Sequence, residues 1–117
     1  MAIKHKKGTM NKIKKREIII FLLVIALIST PFIYIKTTLI SLENKVHNYL
    51  VMEKGIENSN ISSIKGLVGK APLFAVEVVF TDESDVRYFY REIESGEIIQ
   101  IGSSLKPKGY RYKHMES

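Results

Sequence analysis

The chain contains no cysteine. That excludes disulfides, thiolate metal centres, a cysteine nucleophile and the lipid-modified cysteine of a lipoprotein. It leaves the redox compartment open, since a chain without thiols is indifferent to it. A second absence is local. Ile18 to Ile35 reads IIIFLLVIALISTPFIYI, with no charged residue. At about 1.5 Å of rise per residue, a helix of that length covers about 27 Å, close to the hydrocarbon thickness of a bilayer. With no ionisable side chain, the stretch offers no pore lining and no proton path.

A third absence separates two readings of this stretch. A cleavable signal peptide shares its basic flank and apolar body, but needs a small-x-small cleavage site after it. None follows, and apolarity resumes after Pro31, so an uncleaved signal anchor is favoured. Pro31 cannot donate to the carbonyl of Leu27, so a kink is expected near the outer end. Tyr34 falls where an interfacial aromatic sits.

The last absence is of net charge beyond the anchor. The chain carries +6 overall, and the seven basic residues before Glu17, less the charge of Glu17 itself, account for all of it. From Lys36 onward, basic and acidic residues balance. Nucleic-acid binding asks for basic residues on the folded domain, so that class is set aside. The basic flank instead fixes direction. By the positive-inside rule the N-terminus stays cytoplasmic and the C-terminal part lies outside. The chain then divides into a basic cytoplasmic tail (1–17), a transmembrane signal anchor (18–35), an extracytoplasmic domain (36–105) and a flexible basic tail (106–117). His5 and His47 read as solvated.

What is present downstream is a small α+β domain. Leu39, Leu42, Val46, Tyr49 and Leu50 recur at spacings of three and four, the stripe of an amphipathic helix. Lys54-Gly55 stops it with a cation in the last turn and a glycine for a left-handed cap. The pattern then changes to strands over Ile61–Val68, Leu73–Thr81, Val86–Glu94 and Glu97–Gly102. Thr81–Asp85 reads as a five-residue turn and Ser95-Gly96 as a two-residue hairpin. This register pairs Phe80 with Val86, Val78 with Tyr88, Val76 with Tyr90, and Tyr90 with Ile101. One face then collects Phe74, Val76, Val78, Phe80, Val86, Tyr88, Tyr90, Ile99 and Ile101, with the helix stripe as its cover. The predicted architecture is one helix packed on a three- to four-stranded antiparallel β-meander.

The opposite face carries Glu77, Arg87, Phe89, Arg91 and Gln100. Arg87, Phe89 and Arg91 form the candidate partner surface, with the Ile61–Val68 edge as a second one. The turn acids Asp82, Glu83 and Asp85 invite a calcium reading, but the glycine and terminal glutamate of an EF-hand loop are missing. The acids lie on turns and exposed faces, so no catalytic residue, metal site or cofactor is assigned.

A Lys-rich tail, a single span ending Pro31-Phe32-Ile33-Tyr34-Ile35, and the helix Lys45–Leu50 ending Glu53-Lys54-Gly55 come in that order. With Phe74–Glu83 and Gly96–Gly102, they resemble domain-of-unknown-function family 3139. The resemblance implies a short membrane-anchored protein of low-GC Gram-positive bacteria and brings no activity or site residue. A weaker likeness, to the PepSY module, rests on helix-then-sheet topology, a Val-Glu-Val strand and the Ser-Gly hairpin. The expected function is a membrane-anchored, extracytoplasmic, non-enzymatic binding or regulatory module. Its expected partners are the bilayer and an envelope protein, with no small-molecule substrate. The alternative is an envelope-protection or immunity protein that acts through its anchor.

Overall fold

The computed structural model describes the backbone of residues 2–116 and the side chains of residues 14–116. The expectations placed on the side chains of residues 1–13, His5 among them, lie outside the described residues. In chain order the elements are α1 (Ala2–Asn48), a π-helical turn (Tyr49–Glu53), a 3-10 turn (Asn58–Asn60), β1 (Ile61–Val68), β2 (Phe74–Phe80), β3 (Glu83–Glu92) and β4 (Ile98–Ser103). Two compact units result, residues 1–36 and 37–117.

The first unit is helical. It contains a window long and apolar enough to cross a membrane, and none of that window is buried. Phe21, Leu27 and Phe32 are all at least 65% exposed. A soluble core helix would bury such residues. The helix passes through Pro31 without interruption. One residue earlier, the Thr30 hydroxyl donates to the Ala26 carbonyl at 2.7 Å, the i−4 back-bond open to threonine in a helix.

The second unit is the α+β domain. Its sheet runs β1-β2-β3-β4, all antiparallel, with β1 and β4 at the edges. Leu42, Val46 and Leu50, four residues apart, form the buried stripe of the helix. They pack into one core with Val76, Val78, Phe80, Val86, Tyr88, Tyr90 and Ile98. Fully burying each such apolar side chain contributes roughly 1.5–3 kcal/mol. The stop forms at Lys54-Gly55 as expected. Gly55 takes φ +68°, and the Ile56 amide returns to the Leu50 carbonyl at 2.9 Å. Helix and edge strand meet at Gly66, whose amide donates to the Glu43 carboxylate at 2.7 Å. A Cβ at Gly66 would come within 3.0 Å of both Leu39 and Glu43, so glycine is what permits this approach.

The central register holds. Val76, Glu77 and Val78 face Tyr90, Phe89 and Tyr88. Three expectations are corrected. First, the turn after β2 is short, because Phe80 pairs with Glu83 rather than Val86. Asn60 caps it, its carbonyl taking the Thr81 amide at 2.7 Å and its side-chain oxygen the Asp82 amide at 3.1 Å.

Second, the last hairpin has a three-residue loop, Glu94-Ser95-Gly96. The Ile93 amide bonds the Glu97 carbonyl at 2.9 Å, and Gly96 takes φ +90°. A three-residue loop ending in a positive-φ glycine shifts pairing by one relative to a two-residue turn. Tyr90 therefore faces Gln100 and Glu92 faces Ile98. Ile98 goes inside, Ile99 and Ile101 stay exposed, and Gln100 leaves the outer face for that of Tyr90.

Third, residues 106–117 were expected to be a flexible tail, but Lys106 to Glu116 form a strap bonded along the sheet. Tyr110 and Tyr112 pack against the core. The physical reason is the alternation Tyr110, Tyr112, His114, which gives an extended segment one aromatic face.

Candidate functional site

The outer face presents the predicted trio. Arg87, Phe89 and Arg91 alternate along β3 and so share one side of the sheet. Arg87 is exposed, while Phe89 and Arg91 are half-buried. Glu77 lies opposite Phe89, and its carboxylate stands 3.9 Å from the Arg87 guanidinium. An exposed pair at that distance contributes little to stability, roughly 0–1 kcal/mol. Ile99, opposite Arg91, adds apolar surface. The trio is thus an aromatic between two cations on a pleated face, with Arg87 already tied to an acid.

The inner side holds a cluster the sequence reading missed, built around Glu83. Only 3% exposed, it is the buried charged residue among the described residues. The hydroxyl of Tyr88 donates to Oε1, and that of Tyr110 donates to Oε2 at 2.6 Å. The Lys113 amide reaches both oxygens at 3.2 Å. Burial alone pushes the carboxyl upward. The Tyr110 and Tyr88 hydroxyls and the Lys113 amide outweigh it, and Glu83 lies below the usual carboxylate range. The same contact pushes Tyr110 up to about 12. Burial, reinforced by the Glu83 contact, pushes Tyr88 upward too.

Around this centre further contacts hold the strap. The His114 amide donates to the Tyr88 hydroxyl oxygen at 3.1 Å. Its ring stacks on Phe80 at 3.8 Å between centroids, with Nε2 2.8 Å from Asp82 Oδ1. Gln100 donates to the His114 carbonyl at 2.9 Å and accepts from the Glu116 amide at 2.8 Å. The Tyr49 hydroxyl donates to the Glu116 carboxylate. An open groove of about 350 Å³ lies beside the strap, between Leu50 and Lys54 on one side and Tyr90 and Met115 on the other.

In the turn after β2, each of the three acids has a protein partner. Asp82 is engaged by His114, Glu83 by two tyrosines, and Asp85 by the Lys106 ammonium at 2.5 Å. The hydrogen bond from His114 holds the Asp82 carboxyl below its usual range, and that from Lys106 does the same for Asp85. Among the described residues, no group of three or more His, Asp or Glu side chains is arranged to hold a metal ion. His47, expected to be solvated, is half-buried, with Nε2 2.7 Å from Asn58 Oδ1.

No curated protein and no solved structure matches this chain. The model of the family described as protein of unknown function, DUF3139, matches residues 12–90. That segment takes in the apolar stretch, the covering helix, β1, β2 and β3 through Tyr90, while β4 and the strap lie beyond it. With most of its length matched, the chain belongs to the DUF3139 family.

Proposed function

We propose that this protein is a single-span membrane protein whose α+β domain is a non-enzymatic binding or regulatory module on the extracytoplasmic side. One observation carries the reading: an uncharged helical stretch with its apolar side chains exposed is joined to a separately compact domain with a closed core. An exposed apolar surface of that length needs hydrocarbon around it. The excess of Lys and Arg before the stretch supports a cytoplasmic N-terminus. The non-enzymatic part is supported by how the acids are used. Asp82, Glu83 and Asp85 are each engaged by another side chain of the domain, which gives these acids a structural use.

The contact surface in this reading is Arg87, Phe89 and Arg91, facing an envelope protein. The test is a cross-linking pull-down of the full-length, membrane-embedded chain against the R87A/F89A/R91A variant. Loss of a cross-linked partner from the variant is expected. An unchanged set of partners would remove these residues from the interface. Partners retained by the anchor and its flanks without residues 56–117 would favour an envelope-protection role through the anchor.

A further inference from the structure

The end of the domain where the helix enters it has a chemistry of its own. As the chain advances from Asn58 to Gly66, its partners on the helix recede. Asn58 Oδ1 lies 2.7 Å from His47 Nε2, whereas Gly66 lies against Glu43 and Leu39. β1 therefore runs against the helix direction, toward Thr37, and the loop between β1 and β2 sits at the entry end. β2 carries the chain back. The turn at Thr81-Asp82 thus lies at the opposite end, roughly 20 Å away at about 3.3 Å per residue.

The β1–β2 loop is tied at its base. Val68 pairs with Phe74, and the Gly69 amide donates to the Leu73 carbonyl at 2.9 Å, closing Lys70-Ala71-Pro72 into a tip. Val68 and Leu73 are each more than half exposed, and Lys70 and Ala71 are exposed beside them. No acid occurs in the sequence between Glu57 and Glu77. On the helix the first acid after Lys36 is Glu43, whose carboxylate is taken by the Gly66 amide. Apolar side chains around a lysine, with no acid near them in sequence, suit the boundary between headgroups and acyl chains. There the apolar groups leave water while the ammonium stays among the phosphates. The other hairpin at this end, Glu94–Glu97, is acidic. Its strand meets the helix at Lys45, paired with Glu92 at 2.6 Å, six residues farther from the entry than Leu39.

Thr37 follows Ile35 by two residues, so chain connectivity alone keeps the entry end within roughly 7 Å of the apolar stretch. We infer that the β1–β2 loop is a second membrane contact, with Val68 and Leu73 seated at the acyl boundary and Lys70 on headgroup phosphate. The inference rests on the reading of Ile18–Ile35 as a membrane span. It needs neither a choice of side nor the Arg87, Phe89 and Arg91 surface.

The absence of cysteine gives a clean test. Full-length chains carrying Ala71→Cys, Ser84→Cys, Ser95→Cys or Ile28→Cys are labelled with an environment-sensitive fluorophore. Each is reconstituted in vesicles of phosphatidylcholine and phosphatidylglycerol that contain lipid with a nitroxide either near the headgroup or at mid-chain. The expected result is quenching of the Ala71→Cys label by the shallow nitroxide, severalfold above that at Ser84→Cys and Ser95→Cys. Adding Val68→Thr and Leu73→Ser should bring it down to their level. Ala71→Cys quenched no more than those two positions, with Ile28→Cys quenched by the mid-chain nitroxide, would overturn the loop contact and leave the span standing. Quenching unchanged by the Val68 and Leu73 substitutions would overturn it as well. An unquenched Ile28→Cys would overturn the span, and the inference with it.

Discussion

The hydroxyl of Tyr110 donates to Glu83 Oε2 at 2.6 Å, joining residues 27 positions apart in the chain. Through this contact a basic segment with three lysines and an arginine becomes part of the domain's inner surface. Glu83 sits at the first position of β3, where the short turn after Phe80 tips its side chain inward. A carboxylate there is tolerable only because hydroxyl and amide donors meet it. Strap and turn thus depend on each other.

The first prediction concerns that dependence. Glu83→Gln keeps the volume but replaces one acceptor oxygen with a donor amide. It should lower the unfolding free energy by roughly 1–3 kcal/mol. Urea titration of the full chain in detergent, followed by circular dichroism, measures this. Glu97→Gln, an exposed change in the loop region, should stay within about 0.5 kcal/mol of the parent.

The second concerns pH. Glu83 and Asp82 both have depressed carboxyl values in the folded state. The folded state therefore binds fewer protons than the unfolded one in the acid range, and stability rises with pH there. Their contribution is present above the ordinary values of 4.5 and 3.8 and is lost as pH falls through the folded values. Tyr110 works in the opposite direction. Raised from 10.0 to about 12, it contributes below its ordinary value and ceases to as pH rises through the folded one. Hydrogen exchange at the Lys113, His114 and Glu116 amides should show a protected plateau at neutral pH. Protection should fall at both extremes, with the acid limb flattened in Glu83→Gln.

The third tests the corrected hairpin. Ile98→Ala empties a core position and should cost about 2–4 kcal/mol. Ile101→Ala removes an exposed side chain and should cost no more than about 0.5 kcal/mol. Thermal melting of the two variants side by side distinguishes this register from the one with a two-residue turn, which reverses the order.

Much of the fold was legible because it rests on period. The four-residue spacing of Leu42, Val46 and Leu50 and the alternation Val76, Val78, Phe80 each select one face, and the two faces meet in one core. The pairing of Val78 with Tyr88 follows from matching those faces. Loop length escaped, because Ser95-Gly96 carries the same residues whether the loop has two members or three. Only the backbone bond from Ile93 to Glu97 decides between them. The predicted trio on β3 emerged on one face because alternation guarantees it. The Glu83 cluster was hidden for a different reason. A turn glutamate and a tyrosine beyond Pro107 carry no local sign of meeting, and the one available signal, Tyr110-x-Tyr112-x-His114, lies in a segment whose composition reads as solvated.

The central claim is that the domain lies outside a membrane crossed once by the Ile18–Ile35 stretch. The most direct measurement places a cysteine at the exposed position Ser84 in the full-length, otherwise cysteine-free chain, and treats intact cells with an impermeant thiol reagent. A second chain carries Gly8→Cys. The account predicts labelling of S84C in intact cells and of G8C only after permeabilisation. Labelling of G8C with S84C protected would contradict it.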